Sequence, residues 1–305
     1  MVDVGVVVVT YNSRDHLDRL LASLDDGLEG LAARVVVVDN SSSDDTVSRL
    51  RSDARLEVVA LTTNGGYAAG INEGLDRLGD ADSVLVLNPD IDLSRGSVRT
   101  LLRTAEQPSV GIVVPQIRST SGRLKLSLRR DPSVTRALGV AVLGDRLASR
   151  FSSLSETVGD TRAYLVRRDV DWSTGAAMLI TRSCVDAVGR WDESFFLYSE
   201  ETDFADRARR LGFRVVYEPA AVVRHGDSGG MASPRLRSML VVNRVRYFRR
   251  RHRRLPSAAF YGAVLLNELT RSAVGNVAAR AAAVALIRPS RRPVELDSSA
   301  HLLPS

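Results

Sequence analysis

Four short runs of aliphatic residues, Val4–Val9, Val35–Val38, Leu56–Leu61 and Val84–Leu87, are apolar at nearly every position instead of at every second one. Strands of that kind need cover on both faces. The segments between them have the pattern to provide it. Leu17, Leu20, Leu21 and Leu24 recur at spacings of three and four, the stripe of one helix face. The polar run Asn40–Asp45 supplies turns and a helix N-cap, and Asn64-Gly65-Gly66 forms a tight turn into a helix through Leu75. This alternation predicts an α/β layer architecture around a mostly parallel sheet.

Polar residues stand repeatedly at the carboxyl end of a run: Asn12, Asp39, Asn64 and Asp90. In open parallel sheets that edge binds ligands. Four such positions together argue for a ligand edge better than any one of them.

After residue 100 the rhythm changes. Val110–Pro115, Gly175–Ile180 and Phe213–Tyr217 read as strands, and Glu200–Leu211 as a helix stopped by Gly212. Residues 119–159 are poorly periodic and read as connections plus a variable acceptor-side segment. Residues 255–287 read as one or two amphipathic helices. The expected division is a catalytic domain over 1–230 and a basic, helical tail over 231–305.

Composition narrows the class. The single cysteine, Cys184, excludes an intramolecular disulfide and a thiolate-rich metal site, and suits a reducing, cytoplasmic setting. The first apolar run lacks a basic lead and reads as a strand, not a leader. The stretch nearest to a membrane span, Ala273–Ile287, is short and carries Arg280. The formal charge is +6, yet nine arginines and no acid lie between Pro234 and Arg254, so the remainder is mildly acidic. That concentration argues against a general nucleic-acid binder. It suits peripheral contact with an anionic membrane surface, or helix packing in a homodimer.

Each local motif admits two readings. Gly65, Gly66 and Gly70 fit neither the dinucleotide fingerprint nor a Walker loop; they make a turn and helix start, or, with Asn64 and Asn72, a ligand edge. In Asn88-Pro89-Asp90-Ile91-Asp92 the carboxylates suit Mg²⁺ or Mn²⁺ shared with phosphate oxygens, or they cap a turn. Phe195-Phe196-Leu197-Tyr198 is an aromatic wall beside Glu200, Glu201 and Asp203. Glu200 and Asp203 share a helix face while Glu201 points elsewhere. Close carboxylates in a partly apolar pocket prepare a general base, although acids also decorate helix N-termini. His225, beside a glycine-rich stretch, is structural or a ligand.

Taken in order, these motifs resemble the family 2 inverting glycosyltransferases, which have the GT-A fold, and most of all their bacterial rhamnosyltransferase-like branch. Residues 4–230 carry the resemblance. Val6–Asn12, with Thr10, Tyr11 and Asn12 at its end, is similar to the opening strand and nucleotide edge. Asp39 stands at the nucleobase-binding position, with Asp44 a weaker neighbour. Asn64–Asn72 matches the glycine-rich loop near the sugar nucleotide. Asn88-Pro89-Asp90 replaces the family's Asp-x-Asp motif, which implies Asp90 as metal ligand and Asp92 as a secondary one. Trp172–Ala176, with Gly175, resembles the segment of the donor-sugar and acceptor pocket. Glu200-Glu201 matches the catalytic Glu-Asp pair, with Glu201 at the base, and His225 the metal- or diphosphate-contacting histidine.

The resemblance implies a nucleoside-diphosphate-sugar donor, dTDP-rhamnose ahead of others, and a divalent cation. The acceptor is a hydroxyl on a glycan, a small molecule or a polyprenyl-diphosphate-linked sugar. The competing expectations are a non-catalytic nucleotide-sugar-binding or scaffold protein and, behind it, a nucleic-acid-binding protein that uses the arginine run. All of this requires Asp39, Asp90, Glu201 and His225 to meet at the carboxyl edge of the sheet.

Overall fold

The computed structural model describes residues 2–226 and 233–296. In chain order the elements are β1 (Val4–Thr10), α1 (Arg14–Gly27), β2 (Ala33–Asp39), α2 (Thr46–Arg51), β3 (Leu56–Ala60), α3 (Tyr67–Leu78), β4 (Ser83–Leu87) and β5 (Ile91–Leu93). Next come α4 (Ser97–Ala105), β6 (Val110–Ser119), β7 (Leu128–Arg129), α5 (Val134–Leu143), α6 (Asp145–Ala148), β8 (Arg168–Asp169), β9 (Trp172–Ser173) and β10 (Ala177–Thr181). The last are α7 (Arg182–Val188), α8 (Glu200–Arg210), β11 (Arg214–His225), α9 (Pro234–Arg251), α10 (Arg254–Ala273) and α11 (Val277–Ile287).

Contacts divide the described chain elsewhere than at residue 230. One compact unit holds 2–128, 162–193 and 204–226; the other holds 129–161, 194–203 and 233–296. The C-terminal helices lie in the second of these units. They share a core with α5, from the stretch expected to be connections, and with the loop before α8.

The first unit is a layered α/β fold. Its sheet runs β3-β2-β1-β4-β10-β6-β11-β5, with β8 on β11. The four strands from the apolar runs are parallel, β10 enters antiparallel between β4 and β6, and β6 and β11 are again parallel. Every residue of β1 and β4 is buried, which is why these runs show no alternation. Two glycines let α3 lie close on β1: a Cβ on Gly70 would meet Val9 Cγ1 at 2.6 Å, and one on Gly74 would meet Val7 Cγ1 at 2.5 Å.

Strand β11 continues well past Tyr217, where the sequence pattern stops. Its register against β6 shifts between Glu218 and Val222, at Pro219, and then resumes to His225. A proline cannot donate to a ladder and is tolerated at such a bulge. Glu218, buried there, accepts hydrogen bonds from Thr104 and Arg167.

The second unit packs α9, α10, α11 and α5 around Met239, Val242, Phe248, Phe260, Ala282 and Leu286. The rings of His252, Phe248 and Phe260 stack in series. Among the described residues no helix is long and apolar enough to cross a membrane.

Candidate functional site

The polar strand ends form a hydrogen-bonded edge in the first unit. Thr10 and Asp39 are register partners at the ends of β1 and β2. The Asp39 carboxylate accepts from Thr10 Oγ1 at 2.9 Å, and from the Ser42 N–H and hydroxyl. Asn12, with φ of 48°, accepts from Ser43 N–H and donates its own N–H to Ser42 Oγ. Asn40 Nδ2 donates to Gly66 O, and Asn64 Oδ1 accepts from Gly66 N–H. Gly66 has φ of 89°, the left-handed turn that opens α3.

The edge continues across the sheet. Tyr67 Oη donates to Gly175 O at 3.2 Å, and Asn88 N–H donates to Ala176 O at 2.9 Å. Thr10, Asn12, Asp39, Gly66, Gly175 and Asn88 thus belong to one connected rim. Gly65 lies in the turn at that rim, where a Cβ would meet Ala69 at 2.9 Å. Tyr11 stands half-exposed at its end, and Trp172 is partly buried in β9. Asp44 instead accepts from the Arg14 and Thr46 N–H groups.

Asp90 and His225 meet beside this rim. Strand β5 pairs antiparallel with the end of β11, placing His225 opposite Ile91. The Gly226 N–H donates to Asp90 O, and His225 Nε2 lies 3.0 Å from Asp90 Oδ1. A Cβ on Gly226 would sit 3.0 Å from Asp90 Oδ2, so the glycine leaves room for the carboxylate. Burial opposes ionisation of Asp90, but the hydrogen bond and charge of His225 outweigh it and hold the carboxyl below its ordinary value.

The structure corrects several expectations. Asp92 does not join Asp90 and His225: it is opposite Arg224 in the ladder, while Ile91 and Leu93 face the core on the other side of β5. Asn72 is fully buried and engaged, bonding Trp191 N–H, Trp191 O and Glu193, so it clamps the 191–193 loop and is not at the ligand edge. Asp203 is ion-paired with Arg251 of α9. Phe195 is fully buried, and Phe196 and Tyr198 pack on the second unit's core, so the aromatic wall is core material.

Glu200 and Glu201 lie in the second unit on the first turn of α8. Oε2 of each is buried without a hydrogen-bond partner. Burial raises the proton affinity of both, Glu201 raises Glu200 further, and backbone N–H groups and Arg129 partly offset the effect at Glu201. Tyr198 and Ser199, immediately before them, both have positive φ, 70° and 77°. Such residues cost about 1–3 kcal/mol each and persist only where surroundings hold them.

Helix α9 does the holding, which the sequence analysis missed. Fully buried Asn243 donates to Leu197 O at 2.9 Å and accepts from Arg246, which also donates to Ser194 O. Arg250 donates to Ser194 Oγ and lies 4.7 Å over the Phe195 ring. Arg237 forks onto Glu268, Arg244 pairs with Glu156, and Arg235 pairs with Glu295. Most of the nine arginines thus have structural partners within this unit; Arg253 and Arg254 are exposed.

No third carboxylate, histidine or cysteine joins Asp90 and His225 in a metal-holding cluster among the described residues. An anionic oxygen and an imidazole nitrogen still fit a divalent cation whose other ligands are phosphate oxygens and water. A cavity of about 500 Å³, lined by Asp3, Asp82, Arg99 and Arg103 among others, opens at the opposite, amino edge of the strands and contains none of the candidate residues.

Comparison with known proteins identifies the family. Residues 5–174 match the family model described as Glycosyl transferase family 2. The chain is 33% identical over 232 residues to N-acetylglucosaminyl-diphospho-decaprenol L-rhamnosyltransferase of Mycobacterium tuberculosis, covering 72% of this chain and 75% of that protein. It is 25% identical over 227 residues to rhamnosyltransferase WbbL of Escherichia coli, covering 71% and 81% respectively. The mannosyltransferase PcManGT from Pyrobaculum calidifontis, solved with GDP-Man and Mn²⁺, superposes with a TM-score of 0.57 at 18% identity, over 95% of this chain and 82% of that one.

Proposed function

Since the chain belongs to glycosyl transferase family 2, in its rhamnosyltransferase-like branch, we propose that it transfers L-rhamnose from dTDP-rhamnose to a sugar hydroxyl on a polyprenyl-diphosphate-linked acceptor, with inversion at the anomeric carbon. The enzyme class is that of a glycosyltransferase; donor, acceptor and stereochemistry are our reading. One observation carries it: the Asp90–His225 pair sits at the end of the β5–β11 ladder, beside a rim that joins four strand ends. The matched M. tuberculosis rhamnosyltransferase, whose name specifies a decaprenyl-diphosphate-linked acceptor, supports the choice of sugar and acceptor.

Thr10, Asn12, Asp39 and the 64–66 turn form the nucleoside side of the site, with Tyr11 placed to lie against the base. Asp39 Oδ2 accepts only from Ser42 N–H among the described contacts and keeps a lone pair for a base N–H. Asn88, Trp172 and Gly175 border the sugar. Asp90 and His225 would hold Mg²⁺ or Mn²⁺, which when bound offsets the charge that develops on the departing diphosphate.

Glu201 is the general base. Its carboxylate takes the proton of the acceptor hydroxyl as that oxygen attacks the anomeric carbon and the bond to the diphosphate oxygen breaks on the far side. A raised proton affinity suits a base working near neutral pH. Glu200 beside it has its proton affinity raised by burial and by the Glu201 charge, so the two carboxyls resist being ionised together. One displacement needs no sugar–enzyme bond.

The test is a panel of nucleotide sugars with Mg²⁺ or Mn²⁺ and a synthetic polyprenyl-diphosphate N-acetylglucosamine. Nucleoside-diphosphate release and the anomeric signal of the product are followed by NMR. Rhamnosylated product from dTDP-rhamnose alone is expected. Transfer from another donor would reassign the sugar, and saturable nucleotide binding without any transfer would favour a scaffold.

A further inference from the structure

Helix α10 carries an open apolar seam. Leu255, Ala259, Gly262, Leu266, Leu269 and Ala273 recur at alternating spacings of four and three and are all exposed, Leu255 by 85%. Pro256, Thr270 and Val274 extend the same exposed face, which bears no charged side chain from Leu255 to Ala273. Its opposite face is fixed in the second unit's core through Phe260, Ala263 and Val264 and through the buried Glu268–Arg237 pair. Nothing described lies within 4 Å of where a Gly262 Cβ would stand. A helix twenty residues long with such a stripe has the pattern of one strand of a helix pair.

The order of sizes along the stripe identifies the partner. About a two-fold axis between Gly262 and Leu266, Gly262 faces Leu266 of the second copy, Ala259 faces Leu269, and Leu255 faces Ala273. Each small residue meets a large one. A parallel pair would set Gly262 against Gly262 and Leu266 against Leu266, leaving a gap and a clash. Charge agrees. Arg253 and Arg254, at the amino end of α10, are exposed and make no ion pair among the described residues. Antiparallel pairing brings them to the partner's helix carboxyl end, where carbonyls carry partial negative charge; parallel pairing would stack four guanidinium groups.

We propose that α10 is the interface of a two-fold symmetric dimer, in which antiparallel copies of this helix interlock small against large residues from Leu255 to Ala273. Self-complementarity of one patch is what a closed two-fold interface requires. Gly262 is the position where the backbones approach most closely.

Sedimentation equilibrium of the full chain tests this. The wild type should be a dimer in the micromolar range. Gly262→Leu should retain the fold, since the site is open in the monomer and leucine is the better helix former, yet raise the dimer dissociation constant by about tenfold or more. Gly262→Leu with Leu266→Ala exchanges small for large and should restore dimerisation without reducing total apolarity. Mixed Leu255→Cys and Ala273→Cys chains should cross-link, whereas Leu255→Cys chains alone should not. A monomeric wild type would overturn the proposal, as would a dimer indifferent to Gly262→Leu or one that the double variant does not rescue. Flotation of a monomeric wild type with anionic phospholipid vesicles, lost in Leu266→Glu, would overturn it in favour of a lipid surface.

Discussion

His225 Nε2 lies 3.0 Å from Asp90 Oδ1 because a three-residue strand starting just after Asp90 pairs with the end of β11. The register of that ladder, and not proximity in the chain, makes the pair. Asp92, the residue after Ile91 in β5, lies on the other face of the strand from Ile91 and its ladder partner His225, and stands opposite Arg224.

Asp90→Asn and His225→Ala should each raise the Mn²⁺ concentration for half-maximal activity by at least about tenfold, while Asp92→Asn should leave it within about twofold. Gly226→Ala should act in the same direction as Asp90→Asn, because its Cβ would press on Asp90 Oδ2. Metal titration of initial rates reads all four. Equal effects at Asp90 and Asp92 would remove the assignment.

The buried glutamates make stability and activity move in opposite directions with pH. Their folded-state proton affinity is raised, chiefly by burial. Their contribution to stability is therefore complete below the ordinary glutamate range and is lost as pH rises through the folded value. Activity should rise over that same interval as the base is freed. Glu200→Gln should raise the thermal midpoint at neutral pH by a few degrees and flatten its decline on the alkaline side. Thermal melts from pH 4 to 8 check this.

Removing one member of the Arg237–Glu268 pair should be costly. Both side chains are buried, and Asn267 adds a further bond to Glu268. Glu268→Gln should destabilise by about 3–5 kcal/mol, whereas Arg237→Met with Glu268→Leu should recover most of the loss. Urea unfolding of the single and double variants distinguishes a lost interaction from an abandoned buried charge.

Gly74→Ala should destabilise by about 1–3 kcal/mol even though alanine is the better helix former. Its Cβ would stand 2.5 Å from Val7 Cγ1. Val7→Ala in the same chain should relieve the clash. If Gly74→Ala instead stabilises the protein, the close approach of α3 to β1 is wrong.

Much of the first unit was legible in the sequence. Continuous aliphatic runs name doubly covered strands, and the polar residues closing those runs fall on one hydrogen-bonded rim. Asp90 and His225 were found as candidates, but their pairing depends on β5, too short to show a period, and on β11, whose pattern breaks at Pro219. The second unit was poorly legible. Arginines that read as a charged surface turn inward to carbonyls and carboxylates, a choice set by tertiary partners such as Leu197 O, Ser194 O and Glu268. No glycine announces the left-handed turn at Tyr198 and Ser199, because α9 holds it from a distance in sequence. Asn72 misled for a related reason: an amide at the end of a glycine-rich motif serves a loop or a ligand equally well, and here Trp191 and Glu193 take it.

The most direct test of the account is Glu201→Gln in paired assays of transfer and donor binding. The substitution keeps size and removes the base, so turnover should fall by about 10²–10⁴-fold while the Kd for the nucleotide sugar with metal stays within about threefold. Near-wild-type turnover in Glu201→Gln, with donor binding intact, would contradict the assignment of Glu201 as the base on which the proposed transfer depends.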